Sequence, residues 1–158
     1  MSELIVMANA ETAELEATLI SPDWILSGTP ETRSKQLVRS HDRTSCAMVW
    51  ECTAGHFNWH YSKDEMLVVL TGEAFISTEK TQERRIGPGD IVFFPAGTSA
   101  TWRVPSYFRK VAFLRHTMPR PLGFGVLAWN RLLRLVAWKR RNPPELGGTL
   151  DDAPSSRL

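Results

Sequence analysis

The sequence predicts an all-β fold, a sandwich or barrel, followed by a single α-helix. Three observations carry this. Short apolar runs recur between Ser21 and Arg115 at spacings of about ten residues, with turn residues between them. Two glycine-punctuated blocks, Gly55–Gly72 and Gly89–Gly97, mark places where strands reverse. Helical patterns do not alternate with the strands, which argues against a parallel α/β sheet.

Residues 1–20 set Glu11, Glu14 and Glu16 among alanines and leucines, and fit a short amphipathic helix and a flexible arm equally well. From Ser21 the signals turn to β: Pro22, Gly28 and Pro30 punctuate apolar pieces such as Trp24-Ile25-Leu26. Cys46–Cys52, Phe57–Tyr61 and Met66–Thr71 read as strands. Glu73–Thr78 alternates loosely and leads to a polar turn at Glu79–Arg84. Ile91–Phe94 is a strand closed by Pro95, which has no N–H to give to a ladder. Ala100–Val104 and Lys110–Arg115 complete the β region.

Leu122–Arg141 differs in kind. Val126, Trp129, Leu133, Val136 and Ala137 follow helical spacing, while Asn130, Arg131, Arg134 and Arg141 gather on the other side. Pro121 precedes this helix and Asn142-Pro143-Pro144 ends it. The expected organisation is an arm or short helix over 1–20, a β domain over 21–121, a helix over 122–141 and a disordered tail over 142–158.

Composition excludes some classes. A net charge of +2 over 158 residues is too small to mark a nucleic-acid binder. No apolar stretch approaches the roughly 18 residues of a membrane span. The first eight residues lack the basic and apolar regions of a signal peptide, so a cytoplasmic protein is expected. Cys46 and Cys52 fall in one extended strand, too far apart to bridge, and are expected as free thiols in a reducing compartment.

Trp50-Glu51-Cys52-Thr53-Ala54-Gly55, Trp59, Tyr61, Asp64-Glu65, Leu70-x-Gly72, Gly87-Pro88-Gly89-Asp90, Phe94-Pro95-Ala96-Gly97, Trp102 and Arg109-Lys110-Val111 form an ordered set. Together they resemble the cupin subfamily that contains ureidoglycine aminohydrolase-like domains and the ethanolamine-utilisation cupin. The resemblance covers roughly Pro22–Pro121. It implies a cupin-type jelly-roll barrel, one unit rather than two, and a homodimer.

It also implies a test for metal. The metal-binding cupin pattern is G-x5-H-x-H-x3 or x4-E-x6-G, then G-x5-P-x-G-x2-H-x3-N. Counted back from Glu65, the histidine positions hold Trp59 and Tyr61 in one register, Asn58 and His60 in the other. The second-motif positions hold Ala100 and Val104. A metal needs three or four converging donors. Only Glu65 and, in the second register, His60 remain as candidates, so no divalent metal or other cofactor is expected.

The expected pocket is therefore aromatic plus one carboxylate: Trp59, Tyr61, Glu65 and Trp102. Such walls suit a small polar or cationic metabolite through cation–π attraction and a charge-assisted hydrogen bond. The alternative is an enzyme for a small nitrogenous or carbonyl compound, with Glu65 as general acid or base and Tyr61 or Lys110 as its partner. Each residue has a structural alternative: Glu65 could hold a turn, the aromatics could fill the barrel, and His60 and Lys110 could sit on the strand surface. For the helix, the preferred reading is a cover on the barrel or a subunit contact; the other is peripheral membrane contact through 122–141.

Overall fold

The computed structural model describes residues 5–141; the expected tail over 142–158 lies outside them. The chain divides into two compact units, Met1–Thr117 and Met118–Leu158. The first is built of nine strands: β1 (Glu16–Thr18), β2 (Ile25–Ser27), β3 (Thr32–Arg39), β4 (Ser45–His60), β5 (Asp64–Gly72), β6 (Ala74–Thr78), β7 (Thr81–Ile86), β8 (Ile91–Phe94) and β9 (Ser99–Arg115). Among the described residues, the second carries one helix, α1 (Arg120–Arg141).

Two long strands organise the barrel. β4 and β9 pair antiparallel from Ser45↔Arg115 to His60↔Ser99. The first half of β4 and the second half of β9 lie in one layer, ordered β1-β3-β4-β9-β5-β8. Their other halves join β2 on one side and β6 with β7 on the other. Each long strand therefore passes from one layer to the next, and the register breaks where they turn, between Thr53 and Gly55. Pro105 lies at that corner on β9. A bulge bends a strand and shifts its pleat. Before it, Trp50 and Cys52 face inward; after it, Phe57 and Tyr61 do.

The core follows from this alternation. Cys52, Phe57, Tyr61, Leu67, Val69, Phe94, Ala100, Trp102, Phe108 and Ala112 form one buried cluster. Among the described residues no buried side-chain nitrogen or oxygen lacks a hydrogen-bond partner. Gly72 closes β5 with φ of 79°, and a Cβ there would stand 1.9 Å from the Tyr107 carbonyl oxygen. Only glycine fits both demands.

Three expectations are revised. Of the two forms open to residues 1–20, no helix forms within 5–20; they make an arm that turns at Ala10–Thr12 and ends in β1, paired with β3. Arg109 Nη2 donates to the Ala10 carbonyl at 2.7 Å and Arg33 Nη2 to that of Leu15 at 3.0 Å. These bonds tie the arm to β3 and β9, and Leu15 is buried. The expected turn at Glu79–Arg84 shrinks, because Thr81–Ile86 is the strand β7; its side chains are polar since all but Ile86 are exposed. The separate strands Cys46–Cys52 and Phe57–Tyr61 are one strand, and so are Ala100–Val104 and Lys110–Arg115. Among the described residues, no helix is long and apolar enough to cross a membrane.

Candidate functional site

The first half of β4, the second half of β9 and the start of β5 bring charge into the barrel. Lys110 is the register partner of Trp50 on β4 and Val69 on β5. Its even spacing from Phe108 and Ala112 turns its side chain to the same interior face. Glu65, at the start of β5, shares parity with Leu67 and Val69 and also points inward. Each is 5% exposed, and the Lys110 ammonium donates to Glu65 Oε1. The same ammonium stands 5.0 Å from the ring centroids of both Trp50 and Trp102. That is within cation–π range, so a carboxylate and two aromatic faces together hold one buried cation.

A cavity of about 170 Å³ lies beside this pair, walled by Trp50, Trp59, Met48, Ala112, Glu65 and Lys110, with Thr18, Leu19 and Ser34 at its rim. Trp59 is half-buried and meets Trp50 edge-on at 5.7 Å and Trp24 at 5.5 Å, which fixes the aromatic wall. A larger open groove of about 580 Å³ runs past Met66, Phe93 and Phe113. Its one carboxylate, Asp64, is already bonded to the Ala96 amide. The smaller cavity, with its buried charges, is the better chemical candidate.

The other expected residues divide. Tyr61 and Trp102 are 4% and 2% exposed, and neither lines the cavity. Trp102 Nε1–H donates to the Tyr61 hydroxyl at 3.0 Å, and the Tyr61 ring stacks on Phe94 at 4.3 Å. Burial, reinforced by the Glu65 charge, pushes the phenol well above its ordinary pKa. Tyr61 is a satisfied core residue, removed from the role of catalytic partner. His60 faces outward, where its Nδ1 shares a hydrogen bond of 2.6 Å with Ser99 Oγ. Asn58 likewise accepts from Thr101 Oγ1. Residue reasoning passed over Trp50 as a pocket wall. Val49 beside it is fully buried too, which hides the alternation that would have flagged it.

The donor set does not fit a metal. Trp59 and Tyr61 face inward where the pattern has histidines, and Ala100 and Val104 are buried and apolar. Glu65 is the remaining ligand position, and its partner is an ammonium. Among the described residues, no three His, Cys, Asp or Glu side chains converge.

An antiparallel jelly roll with a buried Glu65–Lys110 pair inside it is the build of a cupin barrel. Residues 39–112, just under half of the chain, match the model of the EutQ-like cupin domain. Among solved structures, a protein of unknown function from Pseudomonas syringae pv. tomato is 24% identical with a TM-score of 0.60. That match covers 65% of this chain and 45% of the other, so this chain spans less than half of that protein's length. The polyketide cyclase RemF from Streptomyces resistomycificus is 15% identical, TM-score 0.55, over 73% of this chain and 82% of that one. The ethanolamine utilisation protein EutQ from Salmonella typhimurium is 24% identical, TM-score 0.48, over 54% and 69%. No curated protein matches the sequence.

Proposed function

We propose that the barrel is a metal-free binding module for a small polar metabolite, recognised by the Lys110–Glu65 pair against the walls of Trp50 and Trp59. The observation that carries this reading is a buried ion pair at the side of a cavity. An ion pair inside a small barrel gains little stability over apolar side chains of equal volume. Its place beside open space therefore points to recognition rather than to scaffolding.

The pair refines the class of ligand. Lys110 already occupies the position between a carboxylate and aromatic faces that a cationic metabolite would take. A free amine has to displace it. A carboxylate or carbonyl oxygen instead meets the remaining N–H groups of Lys110, while the free oxygen of Glu65 accepts from an N–H or O–H. Small acids, amides and amino-acid-like compounds fit that pattern.

Thermal melting against a panel of small carboxylates, amides and amines tests the proposal. Ligand at a hundred times its Kd stabilises a fold by about 2.7 kcal/mol, a readily measured rise in Tm. The rise should come from acids or amides, survive EDTA and vanish in Lys110→Met. A rise with amines alone, or one that EDTA abolishes, would overturn it. The same contact of acid and base supports a second, catalytic reading with Glu65 as the proton-transfer group and Lys110 as its partner. In that case Glu65→Gln keeps ligand binding and loses turnover of the compound found.

A further inference from the structure

The helix α1 carries a long series of large apolar side chains. Leu122, Phe124, Leu127 and Trp129 are 60–70% exposed, and every other large apolar residue as far as Leu135 is at least 44% exposed. Leu122, Val126, Trp129 and Leu133 follow one another at helical spacing along one side; Asn130, Arg131 and Arg134 lie on the other, with Leu127 and Phe124 among them. The charge is uneven along the chain. The helix holds six of the chain's 19 Lys and Arg residues and none of its 17 Asp and Glu residues. It therefore carries +6 in a chain of net +2, and the remainder of the protein carries −4.

We propose that α1 is an interfacial helix that docks the protein on an anionic phospholipid bilayer, lying in the plane of the headgroups. Charge complementarity selects this occupant. A second copy of the helix would answer the apolar side but bring two +6 surfaces together. A nucleic acid would answer the cations and leave Phe124, Trp129 and Leu133 in water. A bilayer with anionic headgroups answers both at once, with tryptophan at the depth where its amphipathic ring is favoured. Arg131 and Arg134 break the apolar run, which is why the helix lies on the membrane rather than crossing it.

Sedimentation of the full chain with phosphatidylcholine vesicles, with and without phosphatidylglycerol, tests the proposal. The protein should pellet with the anionic vesicles, stay largely in solution with the neutral ones, and be released by salt. The double variant Arg131→Gln/Arg134→Gln should weaken partitioning about 30-fold, at about 1 kcal/mol per cation. Leu133→Glu should weaken it at least as much while leaving the melting of the barrel unchanged. Absence of phosphatidylglycerol-dependent pelleting overturns the proposal. So does pelleting that Leu133→Glu leaves intact, which is a purely electrostatic contact. Self-association that Leu133→Glu abolishes, without vesicle binding, would assign the face to a second copy.

Discussion

Lys110 is tolerable inside the barrel because Glu65, Trp50 and Trp102 all answer its charge. Removing one partner leaves a buried charge uncompensated, whereas removing both leaves none. Glu65→Gln should therefore cost about 3–5 kcal/mol in urea unfolding, and the double replacement Glu65→Leu/Lys110→Met should recover most of that loss. Equal losses in the single and double variants would mean that the pair is not coupled. The two thiols make a second contrast at this scale. Cys46 is half-buried and Cys52 is buried, with its thiol pushed up to about 12 by burial. The thiolate is the reactive form. A disulfide reagent near neutral pH should modify Cys46 in the native protein and reach Cys52 only on unfolding. Two equally fast thiols would mean that β4 opens.

The elements were legible where side chains alternate in burial and obscure where a backbone feature breaks the alternation. Ile91–Phe94 was read to the residue, because Gly89-Asp90 and Pro95 bracket it. The inward set Trp59, Tyr61, Glu65, Leu67 and Val69 was legible from parity with the glycine spacing. Trp50 was not, since the bulge between Thr53 and Gly55 reverses the parity of β4 upstream of it. β7 was missed because an exposed strand reading Thr-Gln-Glu-Arg-Arg lacks the apolar face that marks a strand. Lys110 could be placed only by the tertiary pairing that brings Glu65 to it. The turns themselves yield a paired prediction. Gly72 and Gly89 both take positive φ, 79° and 88°, but a Cβ at Gly89 meets nothing within 4 Å, while one at Gly72 meets the Tyr107 carbonyl at 1.9 Å. Gly89→Ala should cost about 1–2 kcal/mol, the strain of a left-handed alanine. Gly72→Ala should cost clearly more, because backbone must also move. Chemical denaturation of the two variants measures the difference, and equal costs would show that β9 yields at Tyr107.

Among the described residues, ionisable groups are kept out of the barrel except for the Glu65–Lys110 pair, the Cys52 thiol and the Tyr61 phenol. The last two are neutral inside and set the response to alkali. The Cys52 thiol moves from an ordinary value of 9.0 to about 12 on folding, and Tyr61 from 10.0 to well above it, each chiefly through burial. Both are groups whose folded pKa is raised. Above an ordinary pKa the unfolded chain releases the proton while the native one keeps it, so the unfolded state binds fewer protons and stability falls as pH rises. For Cys52 the contribution is complete below pH 9.0 and is lost between there and about pH 12. The slope attributable to one such group is at most about 1.4 kcal/mol per pH unit. Urea midpoints should accordingly hold steady below pH 9 and decline above it. Cys52→Ala, whatever its baseline cost, should decline less steeply over the same range. Parallel slopes in the two proteins would mean that Cys52 ionises in the native state, and that the core around Trp50 and Lys110 admits water or charge that its packing is arranged to exclude.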